Sequence, residues 1–327
     1  FIICEECINM VRIFFSADVH GNTYVWKKWI NATSIYNPDI LILAGDLTGK
    51  AIIPVYDMGD YYYAEFIGRK YKIPKGDEEK LQKVLDHIEN TAYYYKIMTV
   101  KEAKEIAADP RKMDDLFKEL IIERMKKWLN LIVEKVDLKK VRVIVMPGND
   151  DEKFIDDVIK SYEDKGIIYP LDKVVPIEYN YEIISCEYVN PTPWNTPREM
   201  DDKKLEKHLE KIISKASDPS RAIFNFHAPP YNTKLDLAPK LDKNMKIVYV
   251  GGKPLMVHVG SKAVRKVIEK YQPLLGLHGH IHESYASDKI GKTPVLNPGS
   301  EYTEGILRGF VVELTEEGVK NYWKIEG

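Results

Sequence analysis

Three features of this 327-residue chain point to an α/β fold built on parallel strands. Short apolar runs recur, each bounded by turn-forming residues, which is how a strand buried on both faces reads. The first two runs flank an amphipathic stretch, so strand, helix and strand follow within about 30 residues, as in a parallel βαβ unit. Five runs are each followed closely by a small group of Asp, His or Asn residues, four of them with a glycine beside the group.

The elements follow in order. Val11–Ser16 is the first buried strand. Asn22 to about Tyr36 is a helix with Trp26, Trp29 and Ile30 on one face and Asn37-Pro38 as its stop. Asp39–Ala44 is the second strand. Residues 51–139 then break the rhythm. Ile52–Tyr56 and Tyr61–Ile67 flank Asp57-Met58-Gly59-Asp60 as a hairpin. Helical patterns follow over Glu78–Met98, Lys101–Ala108 and Arg111–Val136, the last with Leu116, Leu120, Ile121, Met125, Trp128 and Ile132 in one stripe. Tyr61-Tyr62-Tyr63 and Tyr93-Tyr94-Tyr95 read as packing residues, with a base-stacking pocket or partner surface as the alternative. Val141–Met146 resumes the strand pattern. Tyr181–Cys186 and Arg221–Phe226 are further strands, separated by a charged helix near Asp201–Ala216. Ser261 N-caps a helix over Lys262–Tyr271. Pro273–Leu277 leads into Gly279, and the tail carries strand-like runs at Val295-Leu296, Phe310–Leu314 and Tyr322–Ile325.

Composition narrows the function. Apolar residues make up 44% of the chain, enough for a large core, and 48 Lys+Arg against 50 Asp+Glu leave a net charge of −2. That balance gives no basic footprint for nucleic acid and no polybasic membrane anchor. No apolar run approaches the length of a membrane span. Three cysteines, Cys4, Cys7 and Cys186, are too few for a disulfide scaffold, which favours a cytoplasmic setting. Cys4 and Cys7 have metal-knuckle spacing without the two further ligands a zinc site needs. Residues 1–9 read as an upstream extension before Met10, without the features of a secretory signal. Few glutamines beside abundant Lys, Glu and Ile lean toward a thermophile.

The groups after the strands carry the chemistry. They are Asp18-Val19-His20, Gly45-Asp46, Gly148-Asn149-Asp150, His227 and Gly279-His280-Ile281-His282. Ligands gather beyond the carboxyl ends of strands in α/β folds, where loops from distant segments converge. Asp, His and Asn supply O and N donors suited to Mn, Fe, Zn or Ni, and no thiol joins them. Asp18 and His20 are placed to face one ion. Asp46 is the natural bridging carboxylate, and Asn149 offers a neutral carbonyl oxygen. His280 and His282 are placed to face different ions. Two divalent ions about 3.5–4 Å apart orient a phosphate, generate hydroxide near neutral pH and stabilise an in-line displacement, so no nucleophilic side chain is required.

In this order the motifs resemble the calcineurin-like metallophosphoesterase superfamily, whose pattern is DxH, GD, GNH-[ED], H and GHxH. The likeness runs from Val11 to about Gly299, and Asp46-Leu47-Thr48-Gly49-Lys50 with Gly148-Asn149-Asp150-Asp151 looks most like its Icc-related archaeal and bacterial branch. The resemblance implies a four-layer α/β/β/α sandwich over residues 10–327, with a mostly helical insertion at about 51–139. It implies one metal on Asp18, His20, Asp46 and His282, and a second on Asp46, Asn149, His227 and His280. It implies a phosphoesterase acting on a small or nucleotide substrate, a metal-bridging hydroxide attacking phosphorus. A nuclease, or a scaffold of the same fold, is the alternative, and the insertion is a candidate surface for a homo-oligomer.

One position departs from the family. Asp150 stands where a histidine usually follows the asparagine. It either caps a helix starting near Glu152 or replaces the imidazole as a general acid, and both can hold. An anionic carboxylate facing the pocket there would repel a dianionic monoester more than a singly charged diester, hence an expected diester preference. His258, just ahead of Gly260-Ser261, is a further candidate to reach the substrate. His278 reads as a supporting or core residue, and His87 and His208 as solvated.

Overall fold

The chain is described by a computed structural model over residues 10–327. The reading of residues 1–9 and of the Cys4/Cys7 pair lies outside the described residues. β1 (Val11–Ser16) leads to α1 (Thr23–Tyr36), which Asn22 caps by accepting from the Val25 N–H and which left-handed Asn37 ends before Pro38. β2 (Ile40–Ala44) lies parallel to β1, with Phe14 opposite Leu41, so the βαβ unit forms as expected.

The next segment holds β3 (Ile52–Asp57), β4 (Tyr61–Phe66), β5 (Arg69–Pro74), α2 (Glu78–Glu89), β6 (Tyr94–Thr99), α3 (Val100–Ala107) and α4 (Pro110–Lys135). The β3–β4 hairpin matches the sequence. The single helix expected over Glu78–Met98 does not form. It stops at Glu89, Ala92 takes a positive φ, and Tyr94–Thr99 pairs parallel to β3. Tyr and Ile side chains suit a half-buried pleated surface, and that pairing outweighs a helical continuation. A four-stranded sheet, β5-β4-β3-β6, therefore stands beside the three helices where a mostly helical segment was expected. Its Val55, Ala64, Phe66 and Ile73 pack on Leu81, Val84, Leu85 and Ile88 of α2. The apolar stripe of α4 is buried as predicted, and the Trp128 ring stacks on Trp26 at 4.4 Å.

The chain continues through β7 (Arg142–Met146), α5 (Ile155–Lys160), β8 (Ile167–Ile168), β9 (Val174–Pro176), β10 (Glu182–Cys186), α6 (Asp202–Ile213) and β11 (Ala222–Phe226). Short strands β12 (Leu237–Pro239), β13 (Tyr249–Val250), β14 (Lys253–Pro254) and β15 (Met256–His258) follow. Then come α7 (Lys262–Tyr271), capped by Ser261, and β16 (Leu275–Leu277), β17 (Ala286–Ile290), β18 (Thr293–Asn297), β19 (Arg308–Thr315) and β20 (Gly318–Glu326).

Two six-stranded sheets organise the molecule, in the orders β20-β19-β1-β2-β7-β8 and β17-β18-β16-β11-β10-β9. Their central strands are parallel, and antiparallel strands close three of the four edges. Strand alternation divides the second sheet. Ile183, Ile223 and Leu275 share one core with Ile13, Ile42 and Ile144 of the first sheet, whereas Ile184, Phe224 and Val295 pack with Leu205, Leu209, Val264 and Val267 of α6 and α7. The class is α/β, as the sequence requires. No helix among the described residues is long and apolar enough to cross a membrane.

Candidate metal centre

Five parallel strands deliver the five sequence groups to one place: β1, β2 and β7 from the first sheet, β11 and β16 from the second. Backbone hydrogen bonds stitch the loops together. Asp18 N–H donates to Gly45 O, His20 N–H to Asp46 O, Gly45 N–H to Met146 O and Gly279 N–H to His227 O. The His280 N–H donates to the Asp18 carboxylate at 3.0 Å. Asp18, His20, Asp46 and His280 all have positive φ, between 41° and 69°. A non-glycine residue held there costs on the order of 1–3 kcal/mol, so four such residues mark a site whose surroundings impose the geometry.

The glycines beside the groups serve the ligands. A Cβ on Gly45 would lie 2.1 Å from His227 Nδ1, and one on Gly148 would lie 2.3 Å from the Asp46 carboxylate. These loops approach side chains too closely for any other residue.

Two ligand groups result. Donor atoms of Asp18, His20, Asp46 and His282 lie within 4.8 Å of one another, as do those of Asp46, His227 and His280. Asp46 straddles them, with Oδ2 3.6 Å from His20 Nε2 and Oδ1 3.4 Å from His227 Nε2. His20 Nε2 and His282 Nε2 face each other at 3.0 Å. Asn149 Nδ2 donates to Thr196 Oγ1 at 2.8 Å, while its Oδ1 is buried without a hydrogen-bond partner, as is His227 Nε2. Buried polar atoms are nearly always satisfied, so a set of N and O donors left open around a shared carboxylate fits divalent cations.

Electrostatics agree. Burial would raise the Asp46 pKa, yet His227, His20 and His280 hold it well below the ordinary carboxylate range. Burial would lower His227, but the Asp46 and Asp18 carboxylates outweigh it and push it up to about 9. Burial, with the His227 charge adding, lowers His280 to about 3, and burial lowers His20. The carboxylates draw positive charge into the cluster, of the kind a divalent cation supplies.

Asp150 does not cap a helix. Helix α5 begins at Ile155, and its N-cap Phe154 makes no side-chain cap bond. The Asp150 carboxylate faces the cluster instead, 3.6 Å from His20 Nδ1, and forms an ion pair with Lys50. Burial and the Asp46 charge raise its pKa, and Lys50 opposes them. The expected diester preference rested on the negative charge of this carboxylate, and the Lys50 ammonium beside it offsets that charge.

The anchoring role belongs to Asp151, which accepts from the Leu47, Thr48 and Gly148 N–H groups and from Thr48 Oγ1. His258 is in neither ligand group. Its Nδ1 is 2.7 Å from Asp236 Oδ1, and that carboxylate also accepts from the Thr233 and Gly260 N–H groups. His278 is fully buried, with Nδ1–H donating to Phe226 O and Ala228 O on either side of His227, and burial lowers it to about 4. His208 is half-buried with its ring edge-on to Tyr188, because its helix face turns inward, while His87 is exposed as expected. Cys186, Glu187 and His208 form another grouping of ligand-type atoms, but burial holds the Cys186 thiol well above its ordinary range.

Lys50, Thr196 and Tyr302 were not read from the sequence as site residues. The Tyr302 ring lies 4.7 Å from that of His20 and 5.8 Å from that of His282. Lys50 stood in the motif-bearing string, whereas Thr196 and Tyr302 carry no local signal. Of the six clustered tyrosines, Tyr94 reaches the site loops, accepting from the Gly49 N–H at 3.1 Å. Tyr61 and Tyr62 instead lie under Lys72 and Lys75.

No family model matches the chain. An uncharacterized protein of Methanocaldococcus jannaschii, MJ1162, is 34% identical over 160 residues, covering 48% of this chain. The chain thus spans 64% of the length of that curated relative. One crystal structure aligns with 97% of this chain and 99% of its own at a TM-score of 0.58 and 17% identity. The protein TT1561 of Thermus thermophilus aligns over 97% and 98% at a TM-score of 0.52 and 12% identity. These two establish a shared fold. A third, described as a novel archaeal phosphodiesterase, aligns over 62% of this chain and 91% of its own with 17% identity, at a TM-score of 0.25.

Proposed function

We propose that this protein is a metal-dependent phosphoester hydrolase of the metallophosphoesterase type, acting on a small or nucleotide phosphoester with two divalent cations, manganese foremost. The observation that carries this reading is the pair of buried ligand groups sharing Asp46, with donor atoms that hydrogen bonding leaves unused. Two sheets with helices on the outer face of the second also suit a four-layer sandwich of that type.

In this reading Asp18, His20, Asp46 and His282 hold one cation, and Asp46, Asn149, His227 and His280 the other. Bound there, the cations would polarise the phosphate, lower the pKa of water and offset charge developing at phosphorus. The remaining work falls to the chain. Thr196 fixes the Asn149 amide so that its carbonyl oxygen points inward, and His278 braces the backbone on both sides of His227. Asp150, paired with Lys50 and facing His20, sets the charge on the side of the cluster that the substrate phosphate would meet.

The test is hydrolysis of bis-p-nitrophenyl phosphate by metal-stripped protein with and without Mn²⁺. Turnover restored by the metal supports the reading. A protein that binds Mn²⁺ and turns over neither this ester nor a nucleotide diester overturns it.

A further inference from the structure

At the rim of the cluster, Lys50 and Asp150 form an ion pair with an inside and an outside. The Asp150 side chain is 15% exposed and that of Lys50 62%, so the carboxylate faces the cluster and the ammonium reaches toward solvent. The inner end is tied to two candidate ligands. Asp150 Oδ2 lies 3.6 Å from His20 Nδ1, and the Asp150 N–H donates to Asp46 Oδ1 at 2.9 Å. The backbone at Lys50 is held on both sides. Gly49 donates to Tyr94 Oη and packs so closely on Gly21 that a Cβ there would lie 2.6 Å from Gly49 N, while Ala51 O accepts from the Tyr94 N–H at 2.9 Å.

We infer that the Lys50–Asp150 pair sets the choice between phosphomonoesters and phosphodiesters. The inference rests on the phosphoester reading above. A monoester at pH 8 carries one more negative charge than a diester. The intact pair presents little net charge to either. Without the ammonium, the carboxylate faces the phosphate alone and disfavours the dianion. Without the carboxylate, the ammonium is released toward the phosphate oxygens and favours it. The two substitutions move selectivity in opposite directions, a pattern that shared structural damage does not produce. A unit charge a few ångströms from a partly screened site changes relative affinity by about tenfold or more.

The experiment uses the full chain carrying Lys50→Met, Lys50→Arg or Asp150→Asn, with metal content measured by elemental analysis. Two quantities are then compared at pH 8. One is kcat/KM for p-nitrophenyl phosphate against bis-p-nitrophenyl phosphate, and the other is the affinity for inorganic phosphate against dimethyl phosphate. The monoester-to-diester ratio is expected to fall about tenfold in Lys50→Met and to rise about tenfold in Asp150→Asn, with Lys50→Arg near the parent and phosphate affinity moving alike. Ratios that stay within about twofold of the parent, or shift the same way in both variants, overturn the inference. If the Mn²⁺-loaded parent hydrolyses neither ester and no nucleotide diester, the phosphoester reading fails. The two phosphate affinities then still decide whether the pair discriminates phosphate charge.

Discussion

Asp46 and Asp151 are neighbouring buried carboxylates with opposite surroundings. Asp151 is closed, because three backbone N–H groups and the Thr48 hydroxyl already occupy its oxygens. Asp46 is open, receiving the Asp150 N–H and otherwise facing imidazole nitrogens at 3.4 and 3.6 Å. Their pKa values part accordingly. Burial and the Asp46 charge push Asp151 up to about 6, whereas the histidines hold Asp46 well down. A closed buried carboxylate is architecture, and an open one among imidazole nitrogens has the donor set that could hold a cation.

Exchanging the two roles is the sharpest way to break this distinction. Asp46→Asn should abolish tight metal binding and cost several kcal/mol of transition-state stabilisation, ~10³-fold in hydrolysis. Asp151→Ala leaves its donors without an acceptor and should lower metal-free stability by about 3–5 kcal/mol. Urea denaturation of stripped protein, beside metal analysis, reads both. A stable Asp151→Ala protein that has lost its metals would erase the contrast.

Glu187 extends the comparison to a buried carboxylate outside the proposed centre. Burial raises it to about 7, with Arg198 opposing. Because the folded pKa lies above the unfolded one, its stability contribution is full below about pH 4.5 and is lost as pH rises to about 7. The loss is up to about 3 kcal/mol. Glu187→Gln should remove that slope, so that parent and variant unfold alike at pH 4 and the variant is the more stable at pH 7.5. Denaturation midpoints that keep the parent's slope in the variant would assign the pH dependence elsewhere.

The smallest effect concerns how an open ligand is aimed. Thr196→Val removes the acceptor for Asn149 Nδ2 and should weaken binding of one cation by about 10–100-fold, with the fold intact. Isothermal titration with Mn²⁺ should show one weakened site beside one unchanged. Equal weakening of both would break the assignment of Asn149 to a single group.

Much of this is legible in the sequence. Val11–Ser16, Ile40–Ala44, Arg142–Met146 and Ala222–Phe226 are apolar runs that read as buried strands, and the groups after them converge as the βαβ logic requires. Other features were out of reach. Glu78–Met98 satisfies a helical pattern along its whole length, and only pairing with β3 decides that its last five residues are a strand. Asp150 and Asp151 differ by one backbone step, which turns one toward the cluster and the other into the loop amides. His258 looked available until Asp236 claimed it.

The division has a physical basis. Periodicity, turn chemistry and ligand type act over a few residues, so the chain alone determined its class, its parallel strands and the donor set at their ends. Which side chains close on one another depends on distances set by contacts dozens to hundreds of residues apart. Asp46 between two histidine groups, Lys50 on Asp150, Thr196 under Asn149 and Tyr302 beside His20 came from the tertiary structure, because a buried polar atom takes whichever partner the packed fold brings within reach.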